Sequence, residues 1–396
     1  VAVNSSFYIN DSTEISYDNF IVQIASGKIY KDKSFSTTLE FLTNLIKGII
    51  HHVDLTLVDP LIQGYDPSEA AIDVENLGKL DFNSMVDAIV NSTSKITIFT
   101  SGTTGQPKKV THSLSNLIRE VRTSTRHRGA IWGYAYNPTH MAGLQVLFQA
   151  LLNGNTLVDL FGKSKSSVIS MLENHTVTHL SATPTFYRLL LPLNRPNTSL
   201  KSVSLGGEKS DTLLIENLKT SFPNAKINNI YASTEAGTLF SADGEYFYVK
   251  SHLLEKVRFR KSELEIHASL LGSGMADQEW YATGDLVEWK DDDKKYFKFV
   301  SRKNEMVNVG GNKVNPHDIE TQLKSIERVI DCLVYGVPNP ILGNMICADI
   351  VVKDSSIDEF TIKKILRNNL ENYQIPRKIN IVDELKTTRT GKLKRK

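Results

Sequence analysis

The densest chemistry in the chain lies in nine residues. Thr100-Ser101-Gly102-Thr103-Thr104-Gly105-Gln106-Pro107-Lys108 holds four hydroxyls, two glycines and a lysine. A phosphate group needs that mixture: amide N–H groups on a permissive backbone, hydroxyl donors and one mobile cation. The β-branched run KITIFT precedes the loop and the helix-like SLSNLIREVRTS follows it. Strand, exposed loop, helix is the expected order, which argues against a flexible Ser/Thr linker. No Gly-Lys-Ser/Thr follows the spacer that a P-loop requires, so another kind of phosphate site is expected.

The elements that must position this loop follow from periodicity. Upstream, FLTNLIKGIIHHV reads as a helix and TLVD as a short strand stopped by Pro60, with nothing chemical among the first 90 or so residues. Downstream, the helix GLQVLFQALLNG, strand NTLVDLF, helix SVISMLENH, strand VTHLSATP, strand KSVSLGG, helix TLLIENLKTSF and strand INNIYA alternate. That alternation predicts βαβ units and an open, largely parallel sheet over residues 95 to 235. From 238 to 300 short strand-like pieces (EYFYV, KVRFR, ELEIHA, LVEWK, KYFKFV) suggest an antiparallel or barrel-like module. Beyond the polar junction SRKNEM, two helices and three strands predict a small α+β domain. The expected fold class is α/β, with a large domain over residues 1–301 and a small mobile one over 302–396.

Composition narrows the function classes. Of the 396 residues, 46 are Lys or Arg and 44 are Asp or Glu, a net charge of +2, so no field favours a nucleic-acid partner. Cys332 and Cys347 are too few for a disulfide framework, and His51 with His52 and the Asp291–Lys295 charge run lack convergent partners. No stretch approaches the roughly 18 apolar residues of a membrane span, and no leader pattern opens the sequence, so a cytoplasmic protein is expected.

With the loop TSGTTGQPK, a set of further motifs resembles the adenylate-forming superfamily, which includes acyl-CoA synthetases, peptide-synthetase adenylation domains and firefly luciferase. In order they are GGE at Gly206–Glu208, IYASTEAG at 230–237, YATGDL at 281–286, the Arg302–Pro316 junction and TRTGKLKR near the C-terminus. The resemblance implies that Thr100, Ser101, Gly102, Thr103, Thr104, Gly105 and Lys108 cradle the phosphates of ATP. Glu235 would hold Mg²⁺, as suits a hard oxygen ligand, and Thr234 would bind a phosphate or carboxylate oxygen. Tyr231 offers a flat face to adenine, with Gly206, Gly207 and Glu208 close by. Asp285 would accept from the ribose hydroxyls and Arg302 would donate to ribose or phosphate. Lys392 matches the family's catalytic lysine, which steadies charge as a carboxylate attacks the α-phosphate. His140, in PTHMAGLQ, resembles the histidine that opens a helix beside the acyl pocket.

Small departures accompany these matches: Ala232 and Ser301 stand where Gly is common, and Asn304 where Asp or Lys is usual. Only about 95 residues precede the loop, fewer than in larger members, so a wall of the acyl pocket is expected to differ. The implied activity is a two-step ligation. A carboxylic acid and ATP give acyl-AMP and pyrophosphate, and a thiol then displaces AMP, with the small domain turning about Arg302–Glu305 and Gly310 and Gly311 facing the thiol. CoA is favoured over a carrier-protein phosphopantetheine, and an aromatic or medium-sized acid is expected. The rival from another class is a catalytically silent nucleotide-binding member.

Overall fold

A computed structural model describes residues 5–60, 62, 65–100, 108–275, 278–354, 356–387 and 393. The chain forms two compact units, Val1–Glu245 with Ile266–Tyr281, and Tyr246–Glu265 with Ala282–Lys396. The units therefore part within the 238–300 strand region and not at 301/302.

The first unit begins with β1 (Ser6–Ile9), β2 (Glu14–Ser16), α1 (Tyr17–Ile24), β3 (Gly27–Tyr30), α2 (Thr38–Ile50), β4 (Leu55–Thr56), β5 (Ala71–Val74) and α3 (Phe82–Val90). Ser16, Thr37 and Asp81 start the three helices, each side chain accepting from the backbone N–H three residues on. Next come β6 (Lys95–Thr100), β7 (Lys108–Ser113) and α4 (Leu114–Leu117). The alternating part follows: β8 (Ile131–Tyr134), α5 (Met141–Leu151), β9 (Thr156–Asp159), α6 (Lys165–Asn174), β10 (His179–Ala182), α7 (Pro184–Leu190), β11 (Ser202–Gly206), α8 (Thr212–Ser221), β12 (Lys226–Ser233) and β13 (Gly237–Ala242).

Among the described residues the main sheet has the order β13-β12-β11-β10-β8-β9-β1-β2. It is parallel from β12 to β1, with antiparallel strands at both edges. Side chains of successive strand residues leave on opposite faces. In β9, Leu157 accordingly joins a core with Phe20, Ile46, Met85 and Leu147, from α1, α2, α3 and α5. Its neighbour Val158 joins a second core with Leu172, Tyr187 and Leu218, from α6, α7 and α8. Both faces are covered, as parallel sheets require.

Two expectations are corrected here. The segment after the phosphate loop is a strand: Lys108–Ser113 pairs antiparallel with β6, from Thr100↔Lys108 to Lys95↔Ser113. Val110 and His112 are buried between more accessible neighbours, the two-residue period of a strand, and only Leu114–Leu117 is helical. The loop thus joins the arms of a hairpin. The parallel sheet also excludes β6, which sits with β4 and β7 in a separate sheet, and it takes in β1 from the N-terminal region.

Next come β14 (Val257–Arg260), β15 (Glu263–His267), β16 (Trp280–Trp289) and β17 (Phe297–Arg302), one sheet in that order with most of its residues in the second unit. Phe297 is fully buried among Phe259, Trp289 and Phe299, with ring centroids 4.9 to 5.6 Å away. EYFYV is not a strand; it contributes a single bridge, Phe247 to Phe297. Then come β18 (Val307–Val309), β19 (Asn312–Val314), α9 (Pro316–Lys324), β20 (Val329–Asn339), β21 (Gly343–Val352), α10 (Glu359–Leu366) and β22 (Lys378–Ile381). Ile319, Leu323, Val334, Ile350 and Ile362 pack the two helices on this last sheet, the α+β arrangement expected for the C-terminal part.

Candidate functional site

The candidate residues fall in both units. In the first, the hairpin β6–β7 holds the ends of the phosphate loop, with Thr100 half-buried opposite the exposed Lys108. Ser101, Gly102, Thr103, Thr104 and Gly105 lie outside the described residues, as does Lys392.

Thr234 and Glu235 sit in the turn between β12 and β13, which closes with Ser233 opposite Gly237. Gly237 has φ +68°, a conformation that glycine takes without strain. Tyr231, on β12, pairs with Phe240 at a ring distance of 5.7 Å. Three consecutive carbonyls of the turn are held from behind. His112 Nε2 donates to Thr234 O at 2.8 Å, Gly272 N–H to Glu235 O at 2.8 Å and Arg119 Nη2 to Ala236 O at 2.7 Å. Burial pushes the His112 imidazole below its usual range, and the Arg119 charge adds to the effect, which keeps the ring neutral.

Gly206 ends β11, and Gly207 just beyond it takes φ +85°. Tyr136 Oη donates to Gly206 O at 3.3 Å. Glu208 is committed locally: its Oε2 accepts from Thr185 N at 3.0 Å and Thr185 Oγ1 at 2.7 Å, which anchors the first turn of α7. His140 is the residue that opens α5, as the sequence implies. Its Nε2 lies 3.4 Å from Asp59 Oδ2, an oxygen that accepts from Asn137 Nδ2 at 2.7 Å. Asn137 Oδ1 in turn accepts from Thr139 N and Oγ1 and shapes the bend before the helix.

In the second unit Asp285 is buried and paired with Arg302. Arg302 Nε donates to Oδ1 at 2.6 Å and Nη2 to Oδ2 at 3.3 Å, across the β16–β17 pairing. The guanidinium fork aligns the Asp285 carboxylate. Glu263 braces the same corner by accepting from Gly284 N at 3.0 Å and from Lys303 Nζ. Gly310 and Gly311 form the two-residue turn of the β18–β19 hairpin, with φ +57° and +91°. A hairpin turn with both central residues at positive φ explains why both are glycine.

Asp59, His112, Asn116, Arg119 and Glu263 were not picked out from sequence. Asp59 stands beside Pro60 in a segment without other chemical signal. His112, Asn116 and Arg119 look like an ordinary polar stripe at spacings of four and three.

Glu235 is a single carboxylate, and among the described residues no group of three or more His, Cys, Asp or Glu could hold a metal. A single hard carboxylate oxygen donor fits Mg²⁺, which takes one or two carboxylates and fills its remaining positions with water and substrate phosphate oxygens.

The β6–β7 hairpin and the Thr234–Glu235 turn lie within the range of a family profile that matches this chain. The AMP-binding enzyme profile matches residues 54–256, just over half of the chain, and the AMP-binding enzyme C-terminal domain profile matches residues 318–392. The chain belongs to the AMP-binding enzyme family. It is 29% identical over 320 residues to a Staphylococcus haemolyticus protein named as a long chain fatty acid-CoA ligase, covering 75% of this chain and 68% of that protein. It is 25% identical over 328 residues to the 2-succinylbenzoate–CoA ligase of Staphylococcus epidermidis, covering 76% and 68%. It also shares the fold of the o-succinylbenzoate CoA synthetase from Bacillus subtilis, solved with its acyl-adenylate. There the TM-score is 0.71 at 18% identity, over 98% of this chain and 94% of that one. Among the described residues no helix is long and apolar enough to cross a membrane.

Proposed function

We propose that the chain is an AMP-forming acid–thiol ligase that makes an acyl-CoA in two steps. A carboxylate oxygen attacks the α-phosphorus of ATP, the bond to the bridging oxygen breaks, and pyrophosphate leaves. The CoA sulfur, as thiolate, then attacks the acyl carbonyl carbon and AMP departs. The observation that carries this reading is the family match over both parts of the chain, which takes in the phosphate loop, the Thr234–Glu235 turn and Lys392. The CoA-ligase names of the relatives support CoA as the acceptor.

In this reading the loop from Thr100 to Lys108 binds the phosphates, and Lys392 neutralises charge at the α-phosphate as the carboxylate attacks. Thr234 holds a phosphate or carboxylate oxygen, and Glu235 holds Mg²⁺. The bound Mg²⁺ would neutralise phosphate charge. Tyr231 and the Gly206–Gly207 backbone flank adenine, and Asp285, oriented by Arg302, accepts from the ribose hydroxyls. His140, steadied by Asp59, borders the acyl group. For the second step the Gly310–Gly311 turn meets the thiol after the C-terminal part pivots near Arg302–Glu305. The substrate is an aromatic or medium-sized carboxylic acid.

The test incubates the protein with ATP, Mg²⁺, CoA and a panel of aryl, short-chain and medium-chain acids, and reads acyl-CoA by mass spectrometry. A thioester from one acid class is expected. Thioester formed only on a phosphopantetheinyl carrier protein would replace CoA in this reading.

A further inference from the structure

We propose that His112, Asn116 and Arg119 are positioning residues for adenylate formation: a one-way hydrogen-bond relay from the strand leaving the phosphate loop to the back of the Thr234–Ala236 turn. The proposal rests on the reading of Thr234 and Glu235 as the phosphate- and magnesium-binding pair.

The direction of the relay is fixed by donor chemistry. Arg119 can only donate. Its Nη1 donates to Asn116 Oδ1, so the Asn116 amide must turn its Nδ2–H toward His112. Asn116 Nδ2 lies 3.1 Å from His112 Nδ1, which therefore accepts. The imidazole is then the Nε2–H tautomer, and that hydrogen is the one donated to Thr234 O. The other arm of the same guanidinium reaches Ala236 O, so a single arginine grips the turn directly and through two intermediaries. A flipped Asn116 amide would set donor against donor at Arg119 and acceptor against acceptor at His112 Nδ1.

A backbone strap runs alongside. Ser273 N–H donates to Thr111 O at 2.7 Å, and its neighbour Gly272 donates to Glu235 O. A Cβ at Gly272 would stand 2.5 Å from Val110 Cγ1 and 2.8 Å from His112 Cε1, so only glycine lets the strap pass this close to β7. Side chains and strap thus tie the turn to the strand that ends the phosphate loop. A shift of either would displace Thr234 and Glu235 from phosphates bound at the loop.

The test uses His112→Leu and Arg119→Met, which keep apolar bulk, and His112→Gln, whose amide N–H can replace Nε2–H. Both disruptive variants should lower kcat for acid-dependent pyrophosphate release about ten- to hundredfold, the cost of slight misplacement of reacting groups. The KM for the acid should stay within about threefold, and His112→Gln should regain most of the rate. The Mg²⁺-dependent part of ATP binding, read by calorimetry, should weaken about tenfold in the same two variants. Correlation spectra of the imidazole should show a proton on His112 Nε2 in the parent protein and its loss of order in Arg119→Met. Variants that fold and keep parental kcat and Mg²⁺ response overturn the proposal, as does an Nδ1–H tautomer. If the parent yields no pyrophosphate with any acid, the ligase reading fails by itself, and Mg²⁺-dependent ATP binding then judges the relay. Binding in the parent that is indifferent to Mg²⁺ overturns the relay as well.

Discussion

Glu235 bears the sharpest consequence of the proposed chemistry, since it is a lone carboxylate on a turn whose backbone is held in place. Glu235→Gln keeps the shape and removes the charge. Pyrophosphate release should fall about a hundred- to a thousandfold, as for other losses of transition-state electrostatics. ATP binding measured without Mg²⁺ should be unchanged, and a full rate in Glu235→Gln would remove this residue from the mechanism. Its place after Tyr231 and Thr234 was readable in the sequence, because the order of side chains along a tight turn is the order of letters. What holds that turn was not readable: His112 and Arg119 lie more than a hundred positions away, and burial turns an ordinary polar stripe into a clamp. Glu208 is a second case. Its carboxylate accepts from Thr185 N and Oγ1 in the first turn of α7, a contact that the two glycines beside it in the sequence do not announce.

At the scale of elements, α5 shows how a glycine can serve placement. A Cβ at Gly143 would lie 2.3 Å from Asn137 O, so the helix can begin this near the bend that carries His140 only because the position is bare. Alanine favours a helix over glycine by about 1 kcal/mol, and overpacking costs about 1–3 kcal/mol. Gly143→Ala should therefore destabilise the fold on balance, visible as a lower urea midpoint with an unchanged m-value; an increased midpoint would refute the close approach. The period of GLQVLFQALLNG announced this helix, and the alternation of KSVSLGG and INNIYA announced the strands beside it. The hairpin at β6–β7 escaped notice because Lys108 and Lys109 mask the two-residue period. Only pairing with Ile96 and Ile98 brings His112 and Val110 into a buried face. Likewise β1 joins the main sheet through contacts some 150 residues distant, which no local pattern encodes.

Taken whole, the molecule couples its stability to pH through histidines held neutral. Burial lowers His51, His112 and His179 from their ordinary value of 6.5. The unfolded chain then binds more protons than the folded one between those lowered values and 6.5, so stability is full above that window and lost as pH falls through it. The urea midpoint should drop between about pH 7.5 and about pH 5.5, and a midpoint that rises on acidification would contradict the buried placement of these rings. The two compact units were only partly foreseen. The C-terminal elements stand where their periods put them, but Tyr246–Glu265 groups with them through the Phe247 and Phe297 packing, a long-range contact between segments that look like one continuous strand module.

Adenylation is the central claim, and its leaving group is the most direct reporter. With ATP, Mg²⁺ and the preferred acid, the protein should release pyrophosphate and AMP in an acid-dependent manner, and Lys392→Ala should slow that release by about a hundredfold or more. Release of phosphate and ADP, or pyrophosphate formation indifferent to both the acid and Lys392, would contradict the account.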